Sequence, residues 1–141
     1  MISFFTADIS YSLRSRGDLR LWLSEVARKE GFKIAQLNVI FCSDEYLYAM
    51  NVQYLQHKTY TDIITFDQSD RKGVISGELY ISLDRLRDNS KSLKISLKDE
   101  IHRVIVHGVL HLCGYGDKTP ADKATMTSKE DYYLAKRSFS I

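Results

Sequence analysis

His107-Gly108-Val109-Leu110-His111-Leu112-Cys113-Gly114-Tyr115-Gly116-Asp117 places two histidines four apart, a glycine where the apolar pattern stops, and a carboxylate ten residues after the first histidine. On a helix, side chains four apart lie about 40° apart around the axis and one turn apart along it, so both imidazoles can reach one ion. Gly114 and Gly116 can take positive φ, which lets the chain leave the helix and fold back until Asp117 completes a tetrahedral three-ligand site. Three protein ligands leave a fourth position for water, the open arrangement of catalytic zinc. The spacing therefore predicts one divalent transition metal per chain, zinc before any other, on His107, His111 and Asp117. A bare HxxxH pair is more often two ordinary helix residues beside a core. Here the glycine break, the oxygen donor at the right offset and the apolar flanks favour the ion.

Outward from this stretch, Lys98 to Cys113 reads as a long helix with Ile101, Val104, Ile105, Gly108 and Leu112 on one face, ended by Gly114. Thr119-Pro120 launches a last helix from Ala121 to about Arg137. Upstream, Asp62 to Phe66 and Val74 to Leu83 are rich in β-branched and aromatic residues, and the polar stretch Asp67 to Gly73 joins them as a paired set of strands. Ser82-Leu83-Asp84 starts a helical segment to roughly Asn89. Ile34 to Cys42 alternates as a half-buried strand, and Ser43-Asp44 caps a helix from Glu45 to Leu55. Gly17-Asp18 opens a first helix carrying Leu19, Trp22, Leu23 and Val26, closed by Gly31, and Ile2 to Phe5 is a short first strand.

The expected fold is a single α+β domain over residues 1–141, with a small mixed sheet of about four strands and five or six helices, the metal site lying on the long helix and the turn after it. Hydrophobic residues at 44% and a single proline exclude disorder. A net charge of +2 permits a polyanionic partner without demanding one, and the basic runs around Arg14 to Lys33 and Arg85 to Arg103 read as solvated helix faces. Cys42 and Cys113 have no metal-ligand spacing and are expected as reduced thiols in the core. The first residues lack the pattern of a signal peptide, and no run approaches about 18 apolar residues. A cytoplasmic protein without a membrane partner is expected.

The spacing is that of the extended zincin motif HExxHxxGxxH with Gly108 in place of the glutamate base, which disfavours a peptidase. The whole segment resembles the signature HGxLHLxGYDH of the YbeY family of metal-dependent endoribonucleases. Tyr60-Thr61-Asp62-Ile63-Ile64-Thr65-Phe66 is similar to that family's PTDVLSF stretch, and Gly77-Glu78-Leu79-Tyr80-Ile81-Ser82 to its GDIxIS segment. The resemblance implies a zincin-like fold and a zinc-dependent, single-strand-specific endoribonuclease. Its partners would be an rRNA precursor and components of the small ribosomal subunit, and its role maturation of the 3′ end of that subunit's RNA.

Three positions depart from the family pattern. Asp117 stands where the family has a third histidine, an exchange that zinc tolerates and that makes the site harder and more anionic, so another divalent transition metal also fits. Leu55 stands where the family has an arginine thought to serve the RNA. Leucine cannot hold a phosphate, which leaves His57 and Lys58 as the nearest substrate-binding candidates in sequence. Glu78 replaces an aspartate. No side chain is identified as general base. His102 lies roughly 140° around the helix from His107 and is expected to pack or face solvent. The tyrosines, Tyr46, Tyr48, Tyr54, Tyr60, Tyr132 and Tyr133 among them, are expected to pack rather than stack on bases. Two rival functions remain, a non-catalytic ribosome-assembly factor with a structural metal and a metallopeptidase.

Overall fold

The structure, a computed structural model, describes residues 1–139. In chain order the elements are β1 (Ile2–Thr6), α1 (Arg16–Lys29), β2 (Lys33–Cys42), α2 (Asp44–Leu55), β3 (Ile63–Asp67), β4 (Val74–Ser82), α3 (Leu83–Leu93), α4 (Leu97–Leu112) and α5 (Pro120–Ala135). They form the expected α+β arrangement of four strands and five helices. Among the described residues no helix is long and apolar enough to cross a membrane.

Local chemistry sets most boundaries. Ser43, Ser82, Ser96 and Thr119 each accept a hydrogen bond from a backbone N–H in the first turn of α2, α3, α4 and α5, satisfying donors that a helix start leaves free. Gly31, at φ +86°, and Gly114, at φ +101°, turn the chain out of α1 and α4 in the left-handed region. Gly116 has no positive φ, so one glycine suffices for the turn to Asp117. Helix α3 runs four residues beyond the expected Asn89. Its weak helix formers Asn89, Ser90 and Ser92 hide the pattern, but Ser90 is buried against the core and the helix closes at Lys94, in the left-handed region.

The strand order is β1-β2-β4-β3, with β1 and β2 and also β2 and β4 parallel, and β3 antiparallel to β4. The expected β3–β4 pair forms with Ile63 opposite Ile81 and Asp67 opposite Gly77. One sheet face, through Leu37, Val39, Ile75, Leu79 and Ile81, shares a core with Leu19, Trp22 and Leu23 of α1 and with Ile101, Val104, Ile105 and Val109 of α4. Each such aliphatic side chain contributes about 1.5–3 kcal/mol by leaving water. Cys42, Ile64, Phe66 and Tyr80 on the other face pack with Leu47 and Met50 of α2.

Two glycines bring α4 hard against the sheet. A Cβ on Gly108 would lie 2.7 Å from Leu79, and one on Gly77 would lie 2.6 Å from the Phe66 carbonyl and 3.1 Å from Leu112. Each glycine therefore receives a leucine from the facing element, which sets α4 beside β3, with His107 and His111 within reach of that edge.

Candidate metal centre

His107 and His111 lie one turn apart on α4 with ring centroids 4.6 Å apart and planes at 83°. The turn opened by Gly114 returns Asp117 so that its Oδ2 lies 3.4 Å from His107 Nε2 and 3.2 Å from His111 Nε2. One ligand atom from each residue thus falls within 4.8 Å of the others, the spacing a single ion needs. The three residues named from the sequence are the three brought together.

What holds the rings is as informative as what they face. His111 Nδ1 donates to the Tyr115 carbonyl at 2.8 Å, and a carbonyl can only accept, so the proton sits on Nδ1 and Nε2 keeps its lone pair. His107 Nδ1 donates to Glu130 Oε2 of α5 at 2.6 Å, which aims its Nε2 at the same point. Glu130 in turn meets Arg103 Nη1 at 3.3 Å, and Arg103 binds the buried Glu100 through Nε at 2.8 Å and Nη2 at 2.6 Å. Burial opposes charge on His107, but Glu130, with Asp62 and Asp117, outweighs it and raises the affinity of the ring for a proton. Surroundings that favour a proton there also favour a metal cation.

A second brace fixes the turn. Tyr115 donates its hydroxyl to Glu30 Oε1 at 2.6 Å, while Tyr133 and Lys129 of α5 bind Glu30 Oε2. Glu30, at the end of α1, therefore anchors the residue whose carbonyl orients His111. Burial works against charge on Glu30, yet these three donors leave its carboxyl below the usual range.

The three candidate ligands open onto a cavity of about 610 Å³, walled by β3, the chain after α2 and the α4–α5 turn. Asp62, in its wall, has its carboxyl pushed above the usual range by burial, against the pull of Arg103 and His107. His57 and Leu55 line the cavity, as does Lys118, while Lys58 is exposed on the loop beside His57 and outside the lining. Asn51 Nδ2 donates to the Thr59 carbonyl at 2.8 Å and the Asn51 backbone carbonyl accepts from His57 N–H, clasping that loop.

The remaining expectations are met in part. His102 is buried against Trp22 and Phe139, accepts from Arg137 Nη1 at 2.7 Å and stays clear of the ligands. The tyrosines divide: Tyr133 is buried, but Tyr46, Tyr54, Tyr60 and Tyr132 are exposed, with Tyr60 stacked on Tyr48 at 4.4 Å. Packing therefore fails as a general account of them: Tyr46, Tyr54 and Tyr60 lie on α2 and the loop after it, on the outer sheet face, and Tyr132 lies on the exposed side of α5. Arg85 and Arg103, read as solvated, are held by Asp44 and by Glu100 with Glu130. Cys42 is a buried free thiol and Cys113 a half-buried one. Nothing local in the sequence marks Glu130 or Glu30 as a partner of the site, or Lys118 as part of the cavity wall. A glutamate one face around from Tyr133 on an otherwise polar helix carries no local signal of its partner.

The YbeY family model, described as "Endoribonuclease YbeY", matches residues 4–138. A protein named Endoribonuclease YbeY from Cytophaga hutchinsonii is 52% identical over 98% of this chain and 96% of its own length. One of the same name from Flavobacterium johnsoniae is 44% identical over 93% of this chain and 94% of its own. The solution structure of TM1509 from Thermotoga maritima superposes with a TM-score of 0.69 at 24% identity, covering 96% of this chain and 88% of that one, which supports the fold. With a family model that matches residues 4–138, relatives 52% and 44% identical over nearly the whole chain, and a signature helix and turn that depart from the pattern in the carboxylate of Asp117, the chain belongs to the YbeY endoribonuclease family.

Proposed function

We infer that this chain is a zinc-dependent endoribonuclease of single-stranded RNA, acting on rRNA precursors in the cytoplasm at the 3′ end of the small-subunit RNA. The observation that carries the reading is the convergence of His107 Nε2, His111 Nε2 and Asp117 Oδ2 on one point at the floor of an open cavity, with both Nδ1 atoms tied behind. That donor set suits zinc, and the carboxylate widens it to other divalent transition metals. When bound, the ion supplies Lewis acidity toward a phosphate oxygen and toward water. The names of the similar proteins support RNA as the substrate.

The protein's own groups divide the remaining work. Asp62, whose burial raises its proton affinity, is the wall carboxylate suited to take a proton from the attacking water. His57, as a hydrogen-bond donor, and Lys58, as a cation, are the loop residues proposed to meet the RNA backbone. Gly108 disfavours a peptidase, because even a Cβ there meets Leu79 at 2.7 Å and Ile63 at 2.9 Å, leaving no room for a glutamate base. Metal analysis of the purified protein with digestion of a single-stranded model RNA tests the reading. About one ion per chain and cleavage lost in a folded His111→Ala variant are expected. Cleavage that persists in that variant would refute it, and metal without cleavage would favour the assembly-factor alternative.

A further inference from the structure

An enzyme that cuts inside a chain must hold nucleotides on both sides of the cut, and the candidate ligands here are open on two sides. Besides the 610 Å³ cavity toward β3, a second depression of about 230 Å³ lies toward α5, lined by Arg103, Lys123, Thr127 and Glu130. His107 and Asp117 belong to both, so the two depressions meet at the proposed ion. Both carry carboxylates, Asp62 and Asp67 in the larger and Glu130 in the smaller, which repel a phosphate backbone unless cations offset them.

Each depression supplies one uncommitted lysine. Lys118 is the lysine of the larger, and no arginine lines it. In the smaller, Arg103 is taken up by Glu100 and Glu130, which leaves Lys123. Among the described residues neither lysine enters an ion pair, whereas Lys129 does, with Glu30. Their backbones are fixed around Thr119: Lys118 lies between Asp117 and that cap, and Lys123 N–H donates to the Thr119 carbonyl at 2.9 Å. Two exposed lysines thus project from set backbone positions into different depressions, one before the first turn of α5 and one within it.

Resting on the endoribonuclease reading, we propose that Lys118 and Lys123 bind the backbone phosphates flanking the scissile linkage, one on each side, so that single-stranded RNA crosses the metal site from the β3 depression to the α5 depression. Lys118 then fills the role vacated by arginine at Leu55, from another part of the same cavity lining. Each lysine acts as a point charge on a neighbouring phosphate, and the ion takes the scissile one.

The test uses the metal-loaded protein and a short RNA in which one linkage, just before or just after the cut, is a neutral methylphosphonate with a 2′-O-methyl sugar. In the parent protein either neutral linkage should lower kcat/KM several-fold. Lys118→Ala should become insensitive to one of them and Lys123→Ala to the other, each with unchanged metal content. Each should also reduce the slope of log affinity against log salt by about 0.7. Lys98→Ala, about 13 Å along α4 from His107, should change none of these. If both lysine variants keep full sensitivity to both linkages, or if Lys118→Ala loses metal, the proposed path is wrong while the nuclease reading stands. Parent protein that neither binds nor cuts the unmodified RNA would overturn both.

Discussion

Glu130 should control metal affinity without touching the metal. Its side chain is 5% exposed and its Oε2 lies 2.6 Å from His107 Nδ1, so replacement removes a buried, charged hydrogen bond from a ligand ring. Hydrogen bonds to charged groups contribute about 1.5–3 kcal/mol. Loss of a carboxylate behind a metal-bound histidine costs about 10–100-fold in affinity, or about 1.4–2.7 kcal/mol, and the two estimates overlap. Glu130→Ala should therefore weaken zinc binding by about 30-fold, and Glu130→Gln, which keeps an acceptor but no charge, by about tenfold. The fold should survive, because Arg103 keeps both bonds to Glu100 through Nε and Nη2. Competition against a chromophoric zinc chelator at neutral pH reads the affinity, and thermal melting of the metal-free proteins checks the fold. If both folded variants bind zinc as tightly as the parent, His107 is not oriented from α5 and the account of the site is wrong.

Asp117→His should retain the ion, since an imidazole supplies the donor the family motif carries, while Asp117→Ala should lose most of it; equal metal content in all three proteins would show that Asp117 is not a ligand. His102, desolvated and facing Arg137, has its pKa lowered from 6.5 to about 4, so between those values the unfolded chain binds a proton that the folded one does not. Stability should therefore fall as pH drops from 6.5 toward 4, by about 3 kcal/mol in full, and His102→Gln should flatten the denaturation profile in that window; identical profiles would contradict this. Gly77→Ala should cost about 1–3 kcal/mol in urea titration, because its Cβ meets the Phe66 carbonyl at 2.6 Å and the β3–β4 ladder must shift; unchanged stability would mean that the close approach of α4 to the sheet is not needed.

The parts of the molecule that could be read in one dimension are those whose chemistry is local. Helix α4 announces itself by apolar spacing, its end by Gly114, and its candidate ligands by a four-residue interval plus a return to Asp117. The β3–β4 pair is legible for the same reason, two strands joined by a short polar loop. The parallel pairing of β2 with both β1 and β4 is not, because it joins Lys33 to Val74 and Ile2 to Leu37 across intervening helices, and nothing in either strand names its partner. Glu130 and Glu30 were hidden likewise: each reaches a site residue from another helix, over 23 and 85 positions of sequence. Lys118 in the cavity wall is not legible either, because proximity along the chain to Leu55 points to Lys58, whereas the turn after α4 brings Lys118 to the cavity from 63 positions away. The exposed tyrosines of α2 show the converse error, since an aromatic residue on a helix says nothing about which sheet face remains uncovered.

The reach of Glu130 back to His107 also bears on biosynthesis. A growing polypeptide contains all three candidate ligands once Asp117 is added, yet the carboxylate that turns His107 toward them comes 13 residues later, on a helix that must still dock. At about 5–20 residues per second that interval lasts on the order of one to three seconds, before any time that docking takes. An unoriented pair of histidines and a mobile aspartate hold an ion poorly against the other chelators of a cell. Tight metal capture at these residues is thus expected only once α5 has emerged and docked, so that a folded cleft rather than the three donors alone would select the ion.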